Sequence, residues 1–296
     1  MRRRILYALL PWLVTAGCAA HHLDSIMVTG KAELVGPGVI STELPEFATT
    51  TTPDGNTLFF NRASPDRSKL TIMMSSRTGG PWTHAIPAPF SGQYRDVDPF
   101  MTPDGRRLYF SSDRPRTGHP ASMNTWYVER TGSGWTDPVD VGEPLNSDST
   151  DIFVSVSAGG TMVFSSNRDG PMRVYQTWWN GTEWSKPEPV AFGATIAGGN
   201  PLISPDGRFM VLVEAPPGTK ADLMVSCHTS AGWTEPRPLT DVNTRYGEFA
   251  PGFGASSHEL YFTSERPGIV AGQPDSVRPP GDIYRIRLPD SVTACH

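Results

Sequence analysis

Short runs of alternating apolar and polar residues recur down the chain, each introduced by residues that turn the backbone. TPDGNTLFF at 52–60, TPDGRRLYF at 102–110 and SPDGRFMVL at 204–212 repeat one pattern, and SAGGTMVF at 157–164 and ASSHELYF at 255–262 are looser copies. In the sharper copies proline fixes φ, aspartate bonds nearby amides and glycine accepts φ > 0, so the pattern predicts a hairpin turn feeding a strand. The anchors Gly55, Gly105, Gly160, Gly207 and Ser257 are 50, 55, 47 and 50 residues apart. That period fits propeller blades rather than helical or leucine-rich repeats.

Trp82, Trp135, Trp184 and Trp233 keep the same rhythm, 53, 49 and 49 residues apart, between the turns. Another apolar segment precedes each: KLTIMMSS at 69–76, NTWYVER at 124–130, MRVYQTWW at 172–179 and DLMVSCH at 222–228; GDIYRIRL at 281–288 is the fifth copy. Each repeat therefore reads as four strands: one before the turn, one after it, a central one, and one carrying the tryptophan. The last repeat lacks the fourth, and KAELVGPGVIS at 31–41 is its natural donor. Such closure would hide free sheet edges. The expected fold is all-β: a five-bladed β-propeller of four-stranded antiparallel blades closed by an N-terminal strand, with six blades as the alternative count.

Blade two carries Asp96, Pro99, Pro103, Asp104, Gly105, Leu108, Tyr109, Phe110, Ser111, Ser112 and Arg114. This series resembles the TolB-like, WD-repeat-like β-propeller repeats of bacterial envelope proteins, and the likeness extends over about 31–288. Blade four departs from it at Val211, Leu212 and Val213 and has no following arginine. The resemblance implies association with lipoproteins and envelope complexes. It does not extend to the separate N-terminal α/β domain that many TolB-like proteins carry, because about a dozen residues separate Cys18 from the donated strand.

The first twenty residues differ in kind. Arg2, Arg3 and Arg4 precede an apolar stretch, 5–14, too short to span a bilayer, and Thr15-Ala16-Gly17-Cys18 offers a small-residue processing site. The segment reads as an export signal. Its end looks like a bacterial lipobox, which would make Cys18 the lipidated N-terminus; ordinary cleavage after Ala20 is the competing reading. The expected organisation is a signal peptide at 1–17, a linker at 18–30, one propeller at 31–288 and a tail at 289–296. Ala19 after the cysteine implies, by likeness to lipoprotein sorting, the periplasmic face of the outer membrane, with a soluble periplasmic or secreted protein as the alternative. Membrane contact would be through the lipid anchor alone.

Composition fits a turn-rich globular chain, with 29 Gly, 29 Pro and 10% aromatic residues. A net charge of −5 with scattered lysines and arginines gives no footprint for nucleic acid. In an oxidising compartment Cys227 and Cys295 would either form a disulfide joining the last two blades or remain a buried thiol and a tail residue.

One polar column recurs. Glu46, Asp96, Asp151 and Glu248 open the first strand of a blade, and Gly198 stands there in blade four. As channel-mouth carboxylates, together with Asp98, they could bind a polar ligand or an ion, Ca²⁺ being the cation that oxygen-rich clusters suit; no cofactor is otherwise expected. The structural reading is favoured, because Arg62, Arg114, Arg168 and Arg266 follow the four carboxylates at 16 to 18 residues while blade four lacks both partners. Bidentate ion pairs at these places would pin each strand to its neighbouring turn.

No Gly-x-Ser-x-Gly elbow, His-Glu-x-x-His pair or sialidase-type Ser-x-Asp-x-Gly-x-x-Trp turn occurs. Asn180-Gly181-Thr182 fits a glycosylation sequon but reads better as a hairpin turn. A propeller glycosidase would need two or three converging carboxylates, and members of a repeated column are poor candidates for a catalytic exception. The periodic tryptophans read as wedges between blades. Trp178 and Trp179 break that rule, so one of them should face outward as a contact surface. Loops 114–123, with His119, and 266–282 lie on one rim, where function usually resides. The expectation is a non-enzymatic, monomeric scaffold that binds an envelope protein or cell-wall component, with a glycan-binding or polysaccharide-active propeller as the alternative.

Overall fold

A computed structural model describes residues 30–193, 198–270 and 279–295. Five antiparallel sheets follow one another along the chain as five four-stranded blades of a β-propeller. Their first strands are Glu46–Thr51, Asp96–Met101, Asp151–Val156, Gly199–Ile203 and Glu248–Phe253. Their second strands are Thr57–Ala63, Arg107–Ser112, Thr161–Ser166, Phe209–Glu214 and Glu259–Ser264, and these are buried along nearly their whole length. A blade is covered on both faces by its neighbours, so its inner strands lose the in-and-out alternation of a surface sheet. Leu58, Phe59 and Phe60 are accordingly all buried.

Third strands run over Leu70–Ser76, Asn124–Glu129, Arg173–Trp178, Asp222–Thr229 and Asp282–Arg287. The fourth strands are two-residue stubs, Ile86–Pro87, Val139–Asp140, Glu188–Pro189 and Arg237–Pro238. Here the structure differs from the sequence expectation. Trp82, Trp135 and Trp184 precede these stubs instead of lying in them, and nearby prolines withhold ladder donors and keep the edge short. Trp233 pairs separately with the end of its blade's third strand.

Closure joins the chain ends. Glu33–Leu34 pairs with the third strand of blade five, Glu33 opposite Arg285 and Leu34 opposite Tyr284. The chain then crosses into blade one, where the Glu46 amide donates to Gly281 O at 2.8 Å. Within the expected donor segment 31–41, two residues form the strand, and Gly36 at φ 50° turns the chain away. A Cβ at Gly252 of blade five would lie 1.7 Å from Thr49 O of blade one, so this junction needs a residue without a side chain.

Five apolar clusters fill the spaces between successive blades, and the tryptophans occupy these seams. Trp135 meets Phe59 of blade one edge to face with centroids 5.7 Å apart, and Trp233 Nε1 donates to Gln176 of blade three at 3.1 Å. Residues 290–293 form a short helix that buries Val292 in the seam of blades four and five, and Cys295 is disulfide-bonded to Cys227 of blade four.

Every first strand slips register once, and the residue at the slip adopts positive φ: Ala48, Asp98, Phe153, Asn200 and Ala250, at 47° to 56°. Left-handed backbone costs a non-glycine residue about 1–2 kcal/mol. The bulge turns the amide out of its own ladder toward the adjacent blade. The Asp98 amide donates to Asn61 Oδ1 at 2.8 Å, that of Phe153 to Ser111 Oγ at 3.3 Å, and that of Ala48 to Thr263 Oγ1 at 3.3 Å, the last crossing the closure from blade one to blade five. Blade five's Ala250 amide instead bonds Asn200 Oδ1 at 3.1 Å.

Candidate functional site

Glu46, Asp96, Asp151 and Glu248 are all fully buried. In blade three, Asp151 Oδ2 accepts the Ser147 amide and hydroxyl at 2.6 and 2.7 Å, while Oδ1 accepts Ser166 Oγ and Arg168 Nη2 at 2.6 Å each. Asp96 repeats this with Ser91, Gly92, Ser112 and Arg114, and Glu248 with Thr244, Ser264 and Arg266. Each arginine also bonds its own serine through Nε and a loop carbonyl through Nη2, namely Phe90 O, Leu145 O and Val242 O. Their guanidinium planes lie over ring pairs, such as Phe164 and Tyr175 for Arg168. In blade one Arg62 sits opposite Glu46 in the ladder, where blades two, three and five place serine, and bonds it through Nε at 2.7 Å.

The carboxylate is therefore a clasp. It holds the connection from the previous blade against the strand it opens, and its oxygens are spent on protein donors. Burial pushes the Glu46 carboxyl above its usual range, opposed by its bonds to Thr42 and Arg62.

The channel is lined by residues two positions further along: Ala48, Asp98, Phe153, Asn200 and Ala250, with Ser155, Pro99, Pro201 and Pro251. Its opening encloses about 30 Å³, room for a water or two. Asp98 differs from the clasp carboxylates with which the sequence reading grouped it. It is 7% exposed, has no ion pair among the described residues, and burial pushes its carboxyl up to about 8, against a lowering hydrogen bond with Ser111. At neutral pH it is largely a neutral acid. No group of three or more His, Cys, Asp or Glu side chains suited to a metal occurs among the described residues.

The strand-two to strand-three loop of blade two is held by a residue that sequence reasoning missed. Arg116 is buried and bonds Asp140 Oδ2 at 2.9 Å, Ser147 O at 2.8 Å and Asn124 Oδ1 at 3.4 Å. His119 then lies with Nδ1 2.8 Å from Asp148 Oδ1 on the exposed rim. Arg116 has no counterpart at the repeat period, so periodicity could not reveal it; its place in Arg-Pro-Arg was the available signal. Residues 271–278 of the companion loop lie outside the described residues, as does Cys18.

On the opposite rim, Trp178 and Trp179 are 40% and 46% exposed. Trp179 meets Trp184 edge-on at 5.3 Å and borders a cavity of about 520 Å³ between blades two and three. The Asn180-Gly181-Thr182 segment between these tryptophans is a tight turn in which Asn180 Oδ1 accepts the amides of Thr182 and Glu183.

No protein-family model matches the chain. The uncharacterized peptidase YuxL of Bacillus subtilis (strain 168) is 34% identical over 134 residues, 41% of this chain and 18% of that protein, so the chain spans less than a fifth of this curated relative. Among solved structures, an α-L-arabinofuranosidase from Lactobacillus brevis aligns over 86% of this chain and 94% of its own with a TM-score of 0.54 and 14% identity. TolB from Acinetobacter baumannii aligns over 82% of this chain and 54% of its own, at 13% identity and a TM-score of 0.48. At such identities the likeness is one of fold.

Proposed function

We propose that the protein is a non-enzymatic propeller scaffold, carried on the periplasmic face of the outer membrane by a lipid on Cys18, that binds an envelope protein or cell-wall component through its loop rim. One observation carries this reading: Arg116 ties loop 114–123 to the next blade junction, so the exposed His119–Asp148 edge is ordered before any partner arrives. Such preorganisation reduces the entropy lost on binding. The leader motif supports export, and acyl chains on Cys18 would hold the protein at about 0.8 kcal/mol per buried CH₂. No nucleic-acid partner is proposed, and the propeller acts as a monomer.

The test is photo-crosslinking from position 121 in cell envelopes. One envelope component should be captured by the full chain and lost when 117–120 is replaced by Gly-Ser with the crosslinker kept at 121 and Tm unchanged; equal capture by both would overturn the reading. Cys18→Ala should move the protein from the membrane to the soluble fraction.

A polysaccharide-active centre at the channel mouth would need a second free carboxylate beside Asp98, and the four repeated ones are bound in clasps. Turnover on a panel of plant and bacterial glycans that disappears in Asp98→Asn would reinstate it.

A further inference from the structure

We propose that the cleft between blades two and three, on the rim opposite the loop rim, is a binding site for neutral saccharides. Its location owes nothing to the reading of the loop rim.

The cleft arises where blade three departs from the repeat. In every blade with a periodic tryptophan, the residue one place beyond the partner of the second strand's first residue, at or just past the end of the third strand, sits beside that tryptophan. Arg77 lies over Trp82 with its guanidinium carbon 4.4 Å from the ring centre, Arg130 bridges Trp135, and the His228 ring is 4.8 Å from that of Trp233. Blade three places Trp179 there, so a second aromatic ring stands on the rim instead of a polar group. The position is built in. The Trp179 amide donates to Gly160 O at 2.9 Å, and a Cβ on Gly160, which has φ 82°, would come within 3.3 Å of Trp179 Cβ. Trp184 supports the ring from the side.

Facing this aromatic wall across the cleft is blade two, with Asp104 and Arg106 in its turn, Arg107 at the start of its second strand and Glu129 at the end of its third. Arg107 bonds Glu129 Oε1 at 2.5 Å and Tyr109 OH at 3.1 Å and lies over the Tyr127 ring at 4.1 Å, which fixes its plane. Asp104 Oδ1 accepts the Thr102 hydroxyl at 2.6 Å and the Arg106 amide at 3.0 Å. These four charges are two of each sign, so their formal sum is zero and neither an anion nor a cation is favoured.

An exposed ring opposite a fixed guanidinium–carboxylate pair matches the two faces of a pyranose. Axial C–H bonds lie on the indole, and adjacent hydroxyls donate to the carboxylate while accepting from the guanidinium. The cavity, about 520 Å³, falls within the usual range of small-ligand sites. Trp178 is no part of its walls.

The test is titration of the full chain with four neutral tetrasaccharides: β-1,4-glucose, α-1,4-glucose, β-1,4-N-acetylglucosamine and β-1,4-mannose, followed by tryptophan fluorescence and calorimetry. At least one should bind, Trp179→Ala and Glu129→Gln should each weaken binding tenfold or more, and Trp178→Ala should leave it within twofold. Trp179→Phe, which keeps a ring in place, should restore most of the affinity and separates loss of the platform from loss of the fold. Failure of all four sugars to bind, equal binding by Trp179→Ala, or preference for polygalacturonate over every neutral sugar would overturn the proposal.

Discussion

Blades two and four share strand order and seam packing but are secured differently. Blade two opens on Asp96, clasped by Ser112 and Arg114 beneath the loop from blade one. Blade four opens on Gly198, and the serine place is taken by Glu214, whose carboxyl burial and nearby Glu235 push upward. Ser165 Oγ, facing the junction of blades three and four, is buried without a partner among the described residues. In compensation, blade four carries the Cys227–Cys295 disulfide, the Trp233–Gln176 bond and the Asn200 bond to blade five. The propeller thus requires each blade to be fastened to its neighbour, while the fastening chemistry can be exchanged.

The sharpest way to break this contrast is Arg114→Met, which leaves Asp96 buried without its countercharge. Removing one partner of a buried pair costs about 3–5 kcal/mol, to be read from urea unfolding midpoints. A smaller effect would show that the serine and loop donors alone hold the carboxylate.

On the blade-four side, replacing both Cys227 and Cys295 by serine opens a covalent loop with a sequence separation of 68 residues. The expected loss is about 2–4 kcal/mol. Reductant should lower the midpoint of the parent protein and leave that of the double variant unchanged.

Asp98 supplies blade two with a pH dependence at the channel position, where blade four has the non-titrating Asn200. Its carboxyl rises from 3.8 to about 8 on folding, so between those values the folded chain binds the proton that the unfolded chain has released. Stability therefore falls as pH rises through this window, by up to about 1.4 kcal/mol per pH unit. Unfolding midpoints of Asp98→Asn should lack this slope between pH 4 and 8; an unchanged slope would place its origin elsewhere.

The smallest effect concerns the loop rim. His119→Ala removes a solvent-exposed pair and should change stability by less than about 0.5 kcal/mol, checked by Tm. A large loss would mean that this edge is structural and would count against its use as a contact surface.

The propeller was legible because turn, strand and tryptophan recur at one period, and the missing fourth strand of the last repeat pointed to the N-terminal donor. The partners in the clasp were legible from joint presence and joint absence: Arg114, Arg168 and Arg266 follow a carboxylate, and blade four lacks both. What escaped sequence reading lacks periodicity or depends on backbone detail. Nothing in Ala48, Phe153 or Ala250 announces left-handed backbone, yet that bulge separates Asp98 in the channel from Asp96 in the clasp, two residues away. Arg116 occurs once. The cleft beside Trp179 joins a turn of one blade to a hairpin of the next, a proximity that exists only once the two blades have packed together.

The clasp itself is tested most directly by a double-mutant cycle on Asp96→Asn and Arg114→Met, with unfolding free energies measured in urea. The account predicts that the double variant loses clearly less than the sum of the two single variants, a coupling of at least about 1 kcal/mol, with saccharide binding at the Trp179 cleft unaltered. Additive losses, with a coupling near zero, together with loss of ligand or partner binding, would contradict it and return the carboxylate column to the role of a functional site.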